Sequence, residues 1–188
     1  MQELRRVRNE EGVALVEFAV TLPLMVVMVI GIFDFGGAFN LKQKLYNAAE
    51  AGARFGATLP TSDLSNGSCN GGGSAPCSVI SVRNVVDDYL TAEEVNDCGL
   101  LRTGGSPSGG MEWTFQSSGN GCPPLTFSLS IERGFAGTGG GVNAVTTRVI
   151  MSYPYAWRFG HVIGLLTPGR TFTGTSLIKA EAIVPNMN

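Results

Sequence analysis

The sequence has little of the chemistry on which most enzyme active sites depend. It contains one histidine, His161, which lies in an apolar stretch between Gly160 and Val162. A structural imidazole suits that context better than a general base does. The sequence also has no Gly-x-Ser-x-Gly motif, paired-carboxylate cluster or metal-binding triad, the patterns that usually mark a catalytic site. We therefore expect a protein that is not an enzyme and needs no cofactor.

Features of nucleic-acid-binding, nucleotide-binding and zinc proteins are missing as well. There are 13 Lys and Arg residues against 15 Asp and Glu, and no basic patch is present. The glycine run 134–141 lacks both Gly-x-Gly-x-x-Gly spacing and a P-loop lysine. No Cys-x-x-Cys pair occurs, which argues against zinc. Calcium at Asp63, Asn66 and Asn70 is an alternative, although their spacing fits no known calcium loop.

One long apolar segment dominates the N-terminal third of the chain. Residues 18–33 carry no charge, and Val13–Val16 extend the run to the roughly 20 residues that a membrane-spanning helix needs. A helix from Val13 to Asp34 rises about 32 Å, which places Asp34 at the far interface and Glu17 only about 6 Å inside the near end. The alternative is a removed secretory signal. The apolar part exceeds the usual signal core, and no small-x-small cleavage site follows it.

The residues around Gly12 resemble a known processing site. Gly12 is followed by Val-Ala-Leu-Val-Glu, with Pro23 further on and Ala-Glu-Ala-Gly-Ala-Arg ending at Arg54. This order resembles the TadE-like pseudopilins of tight-adherence pili, within the type IV pilin-like proteins, over residues 5–58. The resemblance implies that a prepilin peptidase cuts between Gly12 and Val13. It also implies a precursor in the bacterial inner membrane, an assembly machinery there, and a final location in a surface pilus.

Glu17 would become the fifth residue of the cut chain. Cleavage creates a cationic amine at Val13, and in a staggered helix bundle one subunit's amine can lie beside the Glu17 of another. Breaking such a buried pair leaves an uncompensated charge, which costs about 3–5 kcal/mol. We therefore expect Glu17 to set the register between subunits. The alternative is an interfacial glutamate that reaches to water.

Two further features of the helix bear on assembly. Pro23 removes one backbone hydrogen bond, which predicts either a simple kink or a point at which the helix melts and lengthens on leaving the membrane. Ala48, Gly52 and Gly56 form a stripe of small residues that lets another backbone approach closely. This half of the helix is expected to pack on its own sheet through one face and to leave the remaining face for neighbouring subunits.

All four cysteines follow the apolar segment, in a Gly/Ser-rich region. This placement predicts an extracytoplasmic domain with two disulfides. Of the three possible pairings, we expect Cys69–Cys77 and Cys98–Cys122, because each closes a local loop. Unpaired thiols are the alternative. Asn66-Gly67-Ser68, in the first of these loops, matches a glycosylation acceptor by a pattern that also arises by chance.

Periodicity predicts an α+β fold, with a long N-terminal helix packed on a C-terminal antiparallel sheet. Val79, Val82 and Val86 share one face of a second helix near 77–90, with Asp87 and Asp88 on the solvated face. Thr91–Glu94 predicts a capping box that opens one more short turn. Alternation of apolar and polar residues predicts strands near 113–115, 125–132, 145–153 and 172–184, with a loop at 134–141.

The chain is expected to divide into three parts. These are a leader (1–12), an assembly helix (13–59) and an extracytoplasmic domain (60–188).

The prediction from the sequence is a structural pilin-like subunit of an adhesive surface filament. Its partners would be further copies or other pilin subunits, and nucleic acid would not be among them. The competing hypothesis is a monomeric extracytoplasmic binding protein, anchored by one helix, that never polymerises.

Overall fold

A computed structural model describes residues 2–65, 69, 73–119, 121–139, 142–158 and 174–187. It contains two helices, a short 3₁₀ turn at Leu100–Arg102 and one five-stranded antiparallel sheet, so the predicted α+β class is confirmed. The helices are α1 (Gln2–Thr58) and α2 (Cys77–Ala92); the strands are β1 (Ser106–Gly109), β2 (Glu112–Ser117), β3 (Phe127–Gly139), β4 (Val142–Ala156) and β5 (Thr175–Pro185).

The chain divides into two compact units. The first is Met1–Gly37 with Trp157–Gly174, and the second, which we call the sheet unit, is Ala38–Ala156 with Thr175–Asn188. The boundary falls within α1, after Gly37. In the first unit the rings of Phe35 and Trp157 meet edge to face, with their centroids 5.4 Å apart.

The strands of the sheet unit lie side by side in chain order, β1-β2-β3-β4-β5. Their registers align inward-facing residues into rows across the sheet. All members of two such rows are buried, because alternate side chains of a strand point to the same face. One row is Trp113, Ile131, Val149 and Ala182, and the other is Phe115, Leu129, Met151 and Ala180.

The inner face of the sheet shares one core with α2 and the second half of α1. α1 contributes Leu45 and the alanines at 48, 49 and 53, all fully buried. α2 contributes Val79, Val82 and Val86, the apolar face that its periodicity predicted. Lys44 of α1 also donates to the Glu93 carbonyl at the end of α2, at 2.6 Å. α1 is therefore part of the domain core over this half.

Three local expectations were wrong. Thr91 belongs to the end of α2, and Glu94 lies beyond it with φ +57°, so no new helical turn begins there. Residues 134–139 continue β3 and are not a loop, since cross-strand pairing with β4 extends to Gly139. Asp87 is buried, whereas its neighbour Asp88 is exposed as predicted. The short edge strand β1 was not predicted, and β5 is described only from Thr175.

An arginine from the sheet holds the C-terminal end of α1. The Arg133 side chain is fully buried. Its Nη2 donates to the carbonyls of Gly56 (2.9 Å) and Leu59 (2.8 Å), and its Nη1 to that of Pro60 (3.3 Å). The last carbonyls of a helix lack intrahelical partners and form the negative end of its dipole. Burial lowers the pKa of Arg133, and the charge of Asp63 acts in the opposite direction.

Two other segments complete this arrangement. Gly134, with φ +83°, follows Arg133 at a break in the β3–β4 register, a conformation that favours glycine. From the C-terminal tail, the Met187 amide donates to the Ala57 carbonyl at 3.2 Å. The end of α1 is therefore tied to β3 and to the tail that follows β5.

Replacing Arg133→Met should destabilise the sheet unit. Methionine has a similar volume but leaves the Leu59 and Pro60 carbonyls without the donor, and hydrogen bonds to charged groups are worth about 1.5–3 kcal/mol each. We expect a loss of about 3 kcal/mol, measured by denaturant unfolding of the full chain in detergent and followed by tryptophan fluorescence. The control is Arg102→Met at an exposed position. An Arg133→Met chain as stable as the control would contradict the capping role.

Candidate assembly surface on the N-terminal helix

In the first unit, α1 carries a long apolar surface. From Val13 to Phe33 its large apolar side chains are mostly exposed, with exposed fractions of 66% at Val13 and 78% at Phe33. Within the described chain, one helix is long and apolar enough to cross a membrane, with a mean hydropathy of 2.5 in its most apolar window. A secretory signal near the N-terminus meets the same criterion. The helix is therefore consistent with membrane anchoring.

Glu17 lies in this surface with its side chain exposed. Its neighbours one turn away along the helix are Val13, Ala14, Val20 and Thr21, and none is charged. Among the residues with described side chains, none forms a hydrogen bond or ion pair with Glu17. Gly12, where cleavage is predicted, also lies within α1, and a Cβ added there would meet no described atom within 4 Å. Burying this carboxylate in an apolar environment would be costly without a cationic partner.

Pro23 lies inside α1, as the sequence analysis expected. Its nitrogen cannot donate a hydrogen bond to the Ala19 carbonyl one turn earlier. Just upstream, the Thr21 hydroxyl donates to the Phe18 carbonyl at 3.2 Å. Whether the helix melts at this point stays a prediction.

The stripe of small residues faces the protein's own core. Ala48, Gly52 and Gly56 are all buried. A Cβ at Gly52 would lie 2.6 Å from a methyl carbon of Val86 in α2, and one at Gly56 would lie 2.8 Å from the Thr147 methyl in β4. The two glycines thus allow α1 to approach α2 and the sheet closely.

The opposite face of α1 in the sheet unit is open to solvent. Phe39 and Tyr46 are 65% and 49% exposed, and they line a shallow groove of about 370 Å³ together with Lys42, Gln43 and Asn47. Further along, Arg54 and Glu50 form an ion pair on the surface. The described part of the chain leaves this face uncovered, whereas the stripe of small residues is occupied internally.

The cysteines form two disulfides, Cys69–Cys77 and Cys98–Cys122, which are the pairs that the sequence analysis expected. The first ties the preceding loop to the first residue of α2, and the second ties the segment after α2 to the connection between β2 and β3. Both lie in the sheet unit, so both crosslink the domain that would face an oxidising compartment.

Asp63 has a structural role. Its carboxylate accepts hydrogen bonds from the amide (2.8 Å) and the hydroxyl (3.0 Å) of Ser78. Pro76, at the N-cap of α2, makes no side-chain cap, so Asp63 satisfies a free amide of the first turn from a distant loop. Asn66, Asn70 and His161 lie outside the described residues. Within the described chain, no group of three or more potential ligand side chains is arranged to hold a metal ion.

Asp87 is a buried acid that sequence reasoning missed. It is 4% exposed, and its Oδ1 has no hydrogen-bond partner among the described residues. Burial, and then the charges of Asp97 and Asp88 and a hydrogen bond with Asp97, raise the pKa of Asp87 from 3.8 to about 6, while Arg83 acts to lower it. Arg83 points elsewhere: it donates to the Thr103 carbonyl at 2.9 Å. The position of Asp87 beside Val86 did not reveal its burial, because helical periodicity does not show what packs over a residue.

The raised pKa of Asp87 makes the stability of the sheet unit pH-dependent. Since the folded-state pKa lies above the usual value, the carboxyl stabilises the fold fully below pH 3.8, and that stabilisation is lost as the pH rises through about 6. Asp87→Asn stays neutral, so the Tm of the variant should rise relative to wild type between pH 4 and pH 7. Thermal melts at both pH values test this, with the exposed Glu94→Gln as control. Parallel wild-type and Asp87→Asn profiles would disprove the assignment.

The close approach at Gly52 gives a second prediction. Gly52→Ala forces Val86 aside, and overpacking of this kind costs about 1–3 kcal/mol. The matched control is Gly36→Ala in the same helix, where a Cβ meets no described atom within 4 Å; it should be neutral or stabilising by up to about 1 kcal/mol. Both are measured by thermal unfolding of the full chain. If Gly52→Ala were as stable as Gly36→Ala, the stripe would not be a packing contact.

Comparison with known proteins adds one finding for this helix. Residues 12–54 match the family model described as TadE-like protein. No curated protein and no solved structure matches the chain. The matched segment runs from the predicted cleavage site, through Glu17 and Pro23, to the end of the open face, and it does not include the strands. Over its N-terminal helix the chain is therefore similar to TadE-like proteins, which suggests a pilin-like protein associated with tight-adherence pili.

Proposed function

We propose that the chain is a pilin-like subunit that polymerises through the N-terminal part of α1 into a surface filament used for adhesion. The observation that carries the proposal is the position of Glu17, a single carboxylate on an exposed apolar helix with no cationic partner among the described residues. A monomer leaves that carboxylate unpaired in an apolar environment, whereas a bundle of such helices can pair it.

The pairing requires maturation. Cleavage between Gly12 and Val13 removes the leader and leaves an ammonium group at Val13, one helical turn from Glu17. In a staggered bundle the ammonium of one copy lies beside the Glu17 carboxylate of the next. The apolar side chains around them are then buried at about 25 cal/mol per Å², which offsets their departure from the lipid.

The other parts of the chain have roles that follow from this arrangement. Residues 1–12 serve as the leader for a prepilin peptidase, 13–59 as the membrane and assembly helix, and 60–188 as an extracytoplasmic domain on the outside of the filament. The two disulfides support an oxidising location for that domain. The precursor resides in the bacterial inner membrane, where it meets the assembly machinery and other pilin subunits.

A second candidate is an anchored binding protein that does not polymerise. It is favoured by the sheet unit, which has its own core, closed by α2 and half of α1. Such a protein needs only a membrane anchor, and a glutamate one turn inside the membrane can reach to water.

Sheared surface material separates the two candidates. We expect long particles that contain the chain with Val13 as its first residue, as read by N-terminal sequencing. In the same assay Glu17→Ala should insert and be cut but should yield few filaments, because each subunit then leaves an ammonium unpaired. The control is Thr21→Ala, one turn away on the same face, which keeps the charge and should assemble normally.

Two results would overturn the proposal. One is a full-length chain retained in membranes with no particles, which would support the anchored monomer. The other is a normal filament yield from Glu17→Ala, which would remove Glu17 from the assembly contact.

A further inference from the structure

Strand β5 forms one edge of the sheet. Among the described residues it pairs with β4 alone, through a continuous register from Ala156–Thr175 to Thr146–Pro185. Proteins usually protect such edges by keeping them short or by adding bulges, prolines or charges. β5 has 11 residues, its pairing with β4 shows no bulge, and its proline stands at the end. Its free edge is therefore able to accept another strand.

The outer face of β5 carries an unusual row. Ala180 and Ala182 point into the core, whereas Leu177 and Ile183 are 46% and 49% exposed. Lys179 and Glu181 lie between these two apolar residues on the same face and are also exposed. The row therefore reads apolar, cationic, anionic, apolar along the strand.

This row is complementary to itself when reversed. If a second β5 is laid antiparallel with the two Ala180 residues opposite each other, each Leu177 faces an Ile183, and each Lys179 faces a Glu181. Opposite side chains in such a pair are about 4.5–5.5 Å apart, close enough for apolar contacts and ion pairs. All four residues of this row are matched in this one register.

The charges of the neighbouring strands support the same pairing. Arg148 of β4 lies between Glu132 of β3, at 3.5 Å, and Glu181, at 2.7 Å. Glu181 reaches Arg148 diagonally, since the residue opposite Arg148 on β5 is Ile183, and it places an anion at the free edge. Lys179 has no carboxylate partner among the described residues. In the antiparallel register the Lys179 of a second copy lies opposite Glu181, so that it adds a cation to the series of ion pairs Glu132–Arg148–Glu181.

We propose that the partner of this edge is a second copy of the chain, which pairs antiparallel along Leu177–Ile183 with its two-fold axis at Ala180. The contact is isologous, since the same patch serves both copies. A two-fold axis perpendicular to the sheet makes the part of α1 that packs on the sheet, from Ala38 onward, run in opposite directions in the two copies. The contact therefore joins subunits of opposite polarity, such as those of two adjacent filaments, and differs from the contacts within one polar filament. It does not depend on cleavage at Gly12.

A single strand edge is much smaller than a standard interface of about 1,600 Å², so two isolated copies bind weakly. Copies arrayed along filaments bind through many such edges at once, and the effective concentration strengthens each contact. A filament thus gains lateral cohesion from an edge through which two isolated monomers bind only transiently.

A register-specific crosslink tests the geometry. Full-length chains carrying Leu177→Cys and Ile183→Cys are mixed in detergent at high concentration and oxidised mildly. The facing Cα atoms fall within the disulfide range of about 4.4–6.8 Å, so the mixture should form a covalent dimer. Each variant alone should form no covalent dimer, because a given position lies six residues along the strand from the same position in the other copy. Val145→Cys, 48% exposed on β4, is the matched control and should not crosslink to Leu177→Cys.

Charge exchange tests the ion pairs independently. Lys179→Glu places like charges opposite each other at two points, and cross-strand pairs contribute roughly 0.2–1 kcal/mol each, so self-association should weaken about tenfold. Glu181→Lys should do the same. A mixture of the two variants restores both opposite-charge pairs and should associate as wild type does, as measured by sedimentation. Arg102→Glu, at an exposed position of the 3₁₀ turn, is the control.

The outcomes are distinct. A Leu177–Ile183 heterodimer and recovery of association in the charge-exchanged mixture support the pairing. If the Glu181→Lys variant unfolds because it also loses the ion pair with Arg148, the crosslink and the Lys179→Glu variant still test the proposal. A chain that stays monomeric without the crosslink overturns the proposal. Association that is unaffected by Lys179→Glu and gives no crosslink also overturns it, because the contact then lies elsewhere, for example on α1.

Discussion

The fold of the sheet unit depends on how closely the second half of α1 approaches α2 and the sheet. Gly52 and Gly56 leave room for side chains of α2 and β4 that a Cβ would push aside. Arg133 and the C-terminal tail then bind the carbonyls at the end of the helix. Packing at this density transmits displacement instead of absorbing it. A force applied along α1 would therefore reach the sheet through its core and through a charged cap, both of which resist withdrawal of the helix.

The same helix has to suit two environments. Its second half buries small residues against its own domain, whereas its first half exposes large apolar residues and one carboxylate. In water that first half is unfavourable, and in lipid or in a helix bundle it is stabilised. The surface that the proposed function requires is thus separate from the surface that holds the domain together. Substitutions at Glu17 should therefore affect filament assembly, whereas substitutions at Gly52 should affect the stability of the domain.

The sheet unit offers contacts of a different kind. The open face of α1 carries aromatic and polar side chains, and the β5 edge offers backbone hydrogen bonds flanked by a self-complementary row. Contacts through α1 can repeat with one polarity along a filament, whereas the two-fold contact of β5 closes on itself. A subunit with both can form filaments and also join them laterally, and the lateral contact can remain weak because it is repeated.

Local sequence by itself determined the apolar helix, the second helix, most of the strand alternation and the grouping of cysteines into two nearby pairs. These features depend on periodicity, on the length of an uncharged run and on short loop closure. Only the tertiary structure decided the roles of Arg133, Asp87 and Asp63. Arg133 and Asp63 bind segments far away in the chain, and Asp97, the residue with the largest charge effect on Asp87, lies 10 residues from it, so no local pattern reports these roles. The extension of β3 through Gly134–Gly139 likewise depends on pairing with β4, which overrides the weak strand preference of glycine.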